Sequence, residues 1–210
     1  AMQSGGAHGA RPDPGPSPHA YAMGTALVRS EVTTIPHWER PGAETAVIHG
    51  ETLMPNTTDP VASKVQEHGW AVVNVETDVD LPTYSYSVGL YKTFSHPEVI
   101  VFGLAPSVLQ QIINTIGQMV RDGHRFSANE TTDQILVGNE CAFRLVAPGA
   151  EAKYMGTAVG YYGGEVPALH CIWPDQAGRF PWEHGTSAIY RTLQPMLSEG
   201  PEPYTHTRPG

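Results

Sequence analysis

Cysteine is scarce in this chain. Only Cys141 and Cys171 occur among 210 residues, thirty positions apart and without CxxC spacing, which excludes a disulfide scaffold and a cysteine-knuckle metal site. Positive charge is also thin: 12 Lys and Arg against 21 Asp and Glu give a net charge of -9. The basic residues stand singly, so no stripe exists that could neutralise a phosphate backbone, and no nucleic-acid partner is expected. No apolar run approaches the roughly 20 residues of a membrane helix. The opening residues lack the charged start and apolar run of a signal peptide. These absences predict a soluble, cytoplasmic protein with two reduced thiols and no membrane partner.

Phosphate-binding loops are missing too. The stretch "GYYGGE" (160–165) fits neither GxGxxG nor GxxxxGK[ST], so no nucleotide cofactor is expected. No GxSxG nucleophile elbow occurs. The ten histidines form no HxH, HxxxH or Cys/His cluster, and His68, His96, His124, His170 and His184 could meet only through folding. Neither a metal nor any other cofactor is assigned.

What is present divides into unlike regions. Residues 1–60 carry eight prolines and little hydrophobic periodicity, the composition of an extension that orders only against its own domain or a neighbouring copy. Within it, 25–35 and 44–51 have the texture of short strands. Residues 61–195 are expected to form one domain, which the chain length suits, and 196–210 a tail. In the domain, "WAVVNVE" (70–76), "YSYSVGLY" (84–91) and "EVIVFGL" (98–104) are β-branched and aromatic runs joined by short connections, hence antiparallel strands. Leu109, Ile112, Ile113, Ile116 and Val120 recur at helical spacing. They predict one long amphipathic helix over about 107–122, opened by a Ser107/Gln110 capping box and closed at Gly123. Segments 134–138 and 141–147 suggest a hairpin turning at Gly138 and Asn139, and 166–173 a late strand. The fold class is α+β: a mostly antiparallel sheet packed by that helix.

Three stretches could carry chemistry. In "FSHPEVIVFG" (94–103), residues two apart in an extended segment share a face, so Glu98 could orient His96 as a general base. The same two side chains could instead satisfy backbone groups where a strand begins. In "HCIWPDQAGRFPWEHG" (170–185), Trp173 and Trp182 with two prolines build a rigid aromatic loop. There Asp175 could be partly desolvated and so shifted in pKa, and Arg179 could pair with it or hold an anion; equally, the loop could plug the core, with Asp175 and Gly178 making its turn. Tyr84 and Tyr86 share one face of a strand and could offer hydroxyls to a pocket or pack as core.

The segments "EHGWAVVNVE", "YSYSVGLYKTFSHPEVIVFGL" and "LHCIWPDQAGRFPWEHG" together resemble the bacterial family known only as domain of unknown function 4262. The resemblance spans about Val65 to Gly185 and leaves the Pro-rich extension outside. It implies that these motifs belong to one shared site or core, and it brings no established reaction. This chain carries His170 where the family more often has glutamine. The reading that follows is an enzyme acting on a small molecule or peptide by acid-base chemistry. His96, Glu98 and Asp175 would be catalytic, and Tyr84, Tyr86, Trp173, Arg179, Trp182 and His170 would hold substrate. His96 and Asp175 are expected to face a common cavity. The alternative is a binding or immunity-type interaction protein that presents the aromatic loop, with the extension as a possible contact between copies.

Overall fold

The β-branched and aromatic runs form six short strands, seen in a computed structural model that describes residues 59–77 and 81–198. They are β1 (Ala71–Val75), β2 (Tyr84–Val88), β3 (Glu98–Phe102), β4 (Thr131–Leu136), β5 (Asn139–Leu145) and β6 (Ala168–Ile172). One sheet holds them in the order β1-β2-β3-β6-β5-β4. Each outer half is antiparallel and built from strands consecutive in sequence. The halves meet at a parallel pair, with Glu98 opposite Ala168 and Ile100 opposite His170. The architecture is a single α+β domain. The expected strands at 25–35 and 44–51 lie outside the described residues, as do residues 1–58 of the extension and 199–210 of the tail.

Among the described residues, six helices accompany the sheet: α1 (Pro60–His68), α2 (Leu90–Phe94), α3 (Pro106–Arg121), α4 (Ala150–Tyr154), α5 (Gly156–Tyr162) and α6 (Ala188–Leu193). The periodic apolar residues of α3 are all buried, and the helix packs across β1 to β4. Beneath it lie Val99, Val101, Leu169, Phe143 and both cysteines. Its N-terminus departs from expectation. Pro106 occupies the first turn, where its missing N–H costs nothing, so the cap falls on Ala105, which makes no side-chain bond, and no Ser107/Gln110 box forms. Its C-terminus agrees. Gly123 takes a φ of 98°, its N–H reaches the Val120 carbonyl and His124 N–H reaches that of Met119, a Schellman closure that needs the left-handed residue.

The opposite face is covered by α4 and α5, which stack Tyr154, Met155 and Ala158 on Tyr84, Tyr86, Ile100 and Phe102. Leu197 joins this cluster and its carbonyl accepts from Ala147 N–H at 2.7 Å, so packing continues two residues past the expected boundary at 195. One predicted strand is cut short. Residues 84–91 leave the sheet at Val88, because Gly89 turns at a φ of 114° and Leu90 opens α2.

Candidate functional site

The His-Pro-Glu stretch resolves into two unconnected side chains. Ser95 sits in the left-handed region with a φ of 54°, and β3 begins only at Glu98, so strand alternation does not extend back to residue 96. The His96 ring is 1% exposed. Its Nε2 accepts from Phe126 N–H at 3.1 Å, which leaves the proton on Nδ1, and that atom donates to the Pro97 carbonyl at 2.7 Å. Both nitrogens therefore serve backbone. Burial holds the ring below the usual histidine range, against the Pro97 bond that favours its cation, with the Arg125 charge adding to the lowering. His96 clamps the segment after α3 to the start of β3.

Glu98 lies on the other face, fully buried. Its Oε1 accepts from the N–H groups of Gly89 and Tyr91 at 2.9 and 3.0 Å and from Tyr162 Oη at 2.5 Å. Its Oε2 accepts from Ser87 Oγ at 2.5 Å, and that hydroxyl in turn accepts from Val99 N–H. The carboxylate closes the first turn of α2, where free N–H groups favour negative charge. Tyr162 was not apparent from sequence. Burial and the neighbouring Glu98 charge raise its phenol well above the ordinary tyrosine value, so it stays a donor. A buried carboxylate with four donors is satisfied and has little left for a substrate.

Asp175 is likewise committed. It is 5% exposed. Its Oδ1 accepts from Ala177 and Arg179 N–H, both at 2.9 Å, and its Oδ2 takes Arg179 Nε at 3.0 Å and Nη2 at 2.9 Å. Burial pushes this carboxyl up, but the Arg179 and Ala177 bonds and the guanidinium charge outweigh it and hold the group below the usual range. Asp175 is the knot of a turn completed by Gly178 at a φ of 75°. His96 and Asp175 share no cavity. One precedes β3 and the other follows β6, and these strands run parallel with Glu98 opposite Ala168, so the two residues lie at opposite ends of the sheet's centre.

The remaining expected residues fall in three places. Tyr84 and Tyr86 pack in the core under α4 and α5, Tyr86 Oη accepting from Thr157 N–H at 3.3 Å. Trp173 points to the α3 side, its indole N–H bonded to the Phe102 carbonyl at 2.7 Å. Its own backbone N–H and C=O are both bonded by the Gln194 side chain. His170 is fully buried in mid-strand, in edge contact with Phe102 at 5.3 Å between ring centres. Neither of its nitrogens has a partner, and burial lowers its pKa to about 3.

Trp182 opens onto a cavity. Its ring stacks on Phe180 at 4.8 Å and 10° and lies against the Arg144 guanidinium, 4.4 Å from its centre. Arg144 stands on β5 directly opposite His170, is 5% exposed and donates to Asn129 Oδ1 at 2.9 Å. Between these groups lies a half-open cleft of about 120 Å³, also lined by Thr131 and the half-buried Glu130, whose carboxylate accepts from Ser127 N–H. Sequence reasoning passed over Arg144 inside "CAFRLVA". The available signal was an arginine interrupting an otherwise apolar strand, since such a charge is buried only against partners.

The family model for Domain of unknown function (DUF4262) matches residues 64–187, more than half of the chain and nearly all of the folded domain. The chain belongs to the DUF4262 family. No curated protein and no solved structure matches it. The DUF4262 match takes in the His96 clamp, the Glu98 cap, the Asp175 turn and the Trp182 cleft alike. Among the described residues of this DUF4262 domain, no group of three or more His, Cys, Asp or Glu is placed to hold a metal ion. No described helix is long and apolar enough to cross a membrane.

Proposed function

We propose that this domain works by recognition, taking one small planar polar group into the cleft between Trp182, Phe180 and Arg144. The cleft itself carries the reading. Aromatic walls beside a guanidinium whose position is fixed by Trp182 and Asn129 suit one small planar polar group, which can stack on the rings. Size narrows the occupant. Ligand pockets commonly enclose about 300–1,000 Å³, so a cleft of about 120 Å³ suits a single group rather than a whole metabolite. The acid-base alternative loses support from its own candidates, since His96, Glu98 and Asp175 each spend their bonding capacity on backbone and neighbours. General bases need a lone pair within reach of a substrate proton.

The test is a titration of the isotopically labelled protein with acetate, propionate and glutarate, following the Trp182 indole N–H and Arg144 Nε–H signals. A saturable shift at both in the millimolar range is expected, with the Arg144 shift lost in Trp182→Ala. Unmoved signals throughout the series would overturn the reading.

A further inference from the structure

The stretch "GYYGGE" (160–165), which fails as a phosphate loop, builds a surface of another kind. Tyr161 and Tyr162 end α5, and Tyr91 of α2 stands beside them. The Tyr162 ring meets Tyr91 edge-on at 6.0 Å and 72°, and meets Tyr161 at 5.0 Å and 90°. Tyr91 is 46% exposed, and the other two rings are half-buried. The middle ring is held from beneath, since Tyr162 Oη donates to Glu98 and accepts from Gly89 N–H at 3.1 Å. At the rim stands the exposed Lys92, its Nζ 3.3 Å from Tyr161 Oη. None of these residues lines the Trp182 cleft.

The backbone alongside is bare. A Cβ placed at Gly160, Gly163 or Gly164 would meet nothing within 4 Å. Gly163 needs its freedom, because it caps α5 at a φ of 73°. Gly160 lies inside the helix, where glycine is less favourable than alanine, and no neighbour in the domain requires the missing side chain. Exposed aromatic rings of fixed orientation beside uncovered backbone mark a docking surface. Tyrosine-lined surfaces suit polyproline II segments in particular, since pyrrolidine rings pack on aromatic faces and the segment is already extended before it binds.

The chain supplies such a segment itself. We infer that residues 12–18, "PDPGPSP", dock on the Tyr91, Tyr162 and Tyr161 rings of the same molecule as a polyproline II helix. Each proline fixes its own φ and biases the residue before it toward extended geometry, so Asp13, Gly15 and Ser17 are restricted as well. Prolines at every second position of a helix with three residues per turn put a ring on each of its edges, and whichever edge faces the tyrosines is apolar. Successive prolines lie about 6 Å apart along that helix, close to the 6.0 and 5.0 Å between the tyrosine ring centres. Asp13 complements Lys92. The point of entry agrees, because the described chain starts at Asp59, the cap of α1, and Val61 of α1 packs against the same cluster as Tyr161 and Tyr162. From there residues 19–58 span up to about 130 Å, several times the width of a domain this size. The tail offers only Pro201 and Pro203 at close spacing, too short a run to cover three rings.

The experiment uses the isotopically labelled full chain and follows the amide signals of Gly160, Gly163 and Gly164. The variant Pro12→Ser/Pro14→Ser/Pro16→Ser/Pro18→Ser alters no residue of the folded domain and should shift those three signals while leaving that of Leu169, inside the sheet, in place. A blocked peptide of residues 10–20 added to this variant should return them toward their wild-type positions, saturating in the millimolar range. The same peptide with Asp13→Asn should bind about two- to fivefold more weakly, a difference that Lys92→Gln should erase. Adding Tyr91→Ala, at an exposed position, should abolish the response to the peptide. The assignment is overturned if the glycine signals ignore the loss of the prolines, if Tyr91→Ala leaves the peptide's effect intact, or if a peptide of residues 199–210 binds more tightly than that of 10–20. Wild-type signals that move with protein concentration would seat the segment on a second copy and overturn the intramolecular assignment.

Discussion

Acidification should strip this domain of stability through one residue in the middle of its sheet. His170 is fully buried, with Phe102 against its ring and the Arg144 cation opposite on β5, and neither nitrogen is hydrogen-bonded. A proton placed there gains no acceptor and loses its water, and this desolvation is why the pKa falls from 6.5 to about 3. The unfolded chain keeps the ordinary value. Below about pH 6.5 it therefore binds a proton that the native state refuses, and stability falls with pH until about pH 3, where both states are protonated. Each tenfold difference in proton affinity is worth about 1.4 kcal/mol, so the full interval removes about 4 to 5 kcal/mol. That is a large share of the roughly 5–15 kcal/mol a domain possesses. His96 adds a smaller loss of the same sign, since its protonation would set Nε2–H against the Phe126 N–H.

Urea melts of the wild type and His170→Met between about pH 7 and about pH 4 measure the term. Methionine keeps the volume and removes the titration, so the variant's stability should decline with acid by several kcal/mol less, leaving mainly the His96 slope. At neutral pH the variant should be no less stable, because two unbonded buried nitrogens, each costing about 1–3 kcal/mol, have been removed. Parallel pH profiles for the two proteins would refute the reasoning and mean that His170 is not a desolvated, unpartnered ring.

Two further substitutions probe the packing. His96→Ala strands the Phe126 N–H and Pro97 carbonyl in a buried site and should cost about 2–4 kcal/mol in a denaturant melt, whereas a melt unchanged within error would return His96 to the list of functional candidates. Gly117→Ala places a Cβ 2.4 Å from Trp70 Cε2, between α3 and the sheet edge; a loss of about 1–3 kcal/mol by overpacking is expected, with a red-shifted Trp70 emission as its local sign, and an unperturbed Trp70 would contradict it.

Periodicity made the sheet and α3 legible, because both faces of the strands and one face of the helix must meet apolar partners. What sequence concealed depended on contacts far along the chain. Residues 84–91 look like one strand, yet α2 begins inside them once Gly89 turns and the Glu98 carboxylate supplies acceptors for its first N–H groups. Ser107 and Gln110 matched a capping pattern, but Pro106 had already claimed the first turn. His96 and Glu98 looked like a pair under strand alternation, but Ser95 is left-handed and the strand begins only at Glu98. The loop turn at Asp175 and Gly178 was readable from local chemistry alone. Arg144 and Tyr162 were not, since each matters through a residue some 40 to 65 positions distant, Trp182 and Glu98.

The division of the sheet into two contiguous antiparallel halves gives folding an order. Within residues 71–102, and again within 131–172, each strand pairs with its sequence neighbour, so each loop to be closed is shorter than the one that joins the halves and less entropy is lost. Joining the halves demands a contact between Glu98 and Ala168 across the whole middle of the chain, and non-local contacts of this sort slow folding. The central seam is then the late event. Truncating Val73, whose hairpin forms early, should retard refolding, while truncating Leu169 at the seam should chiefly hasten unfolding, a contrast that the two arms of a chevron plot would display.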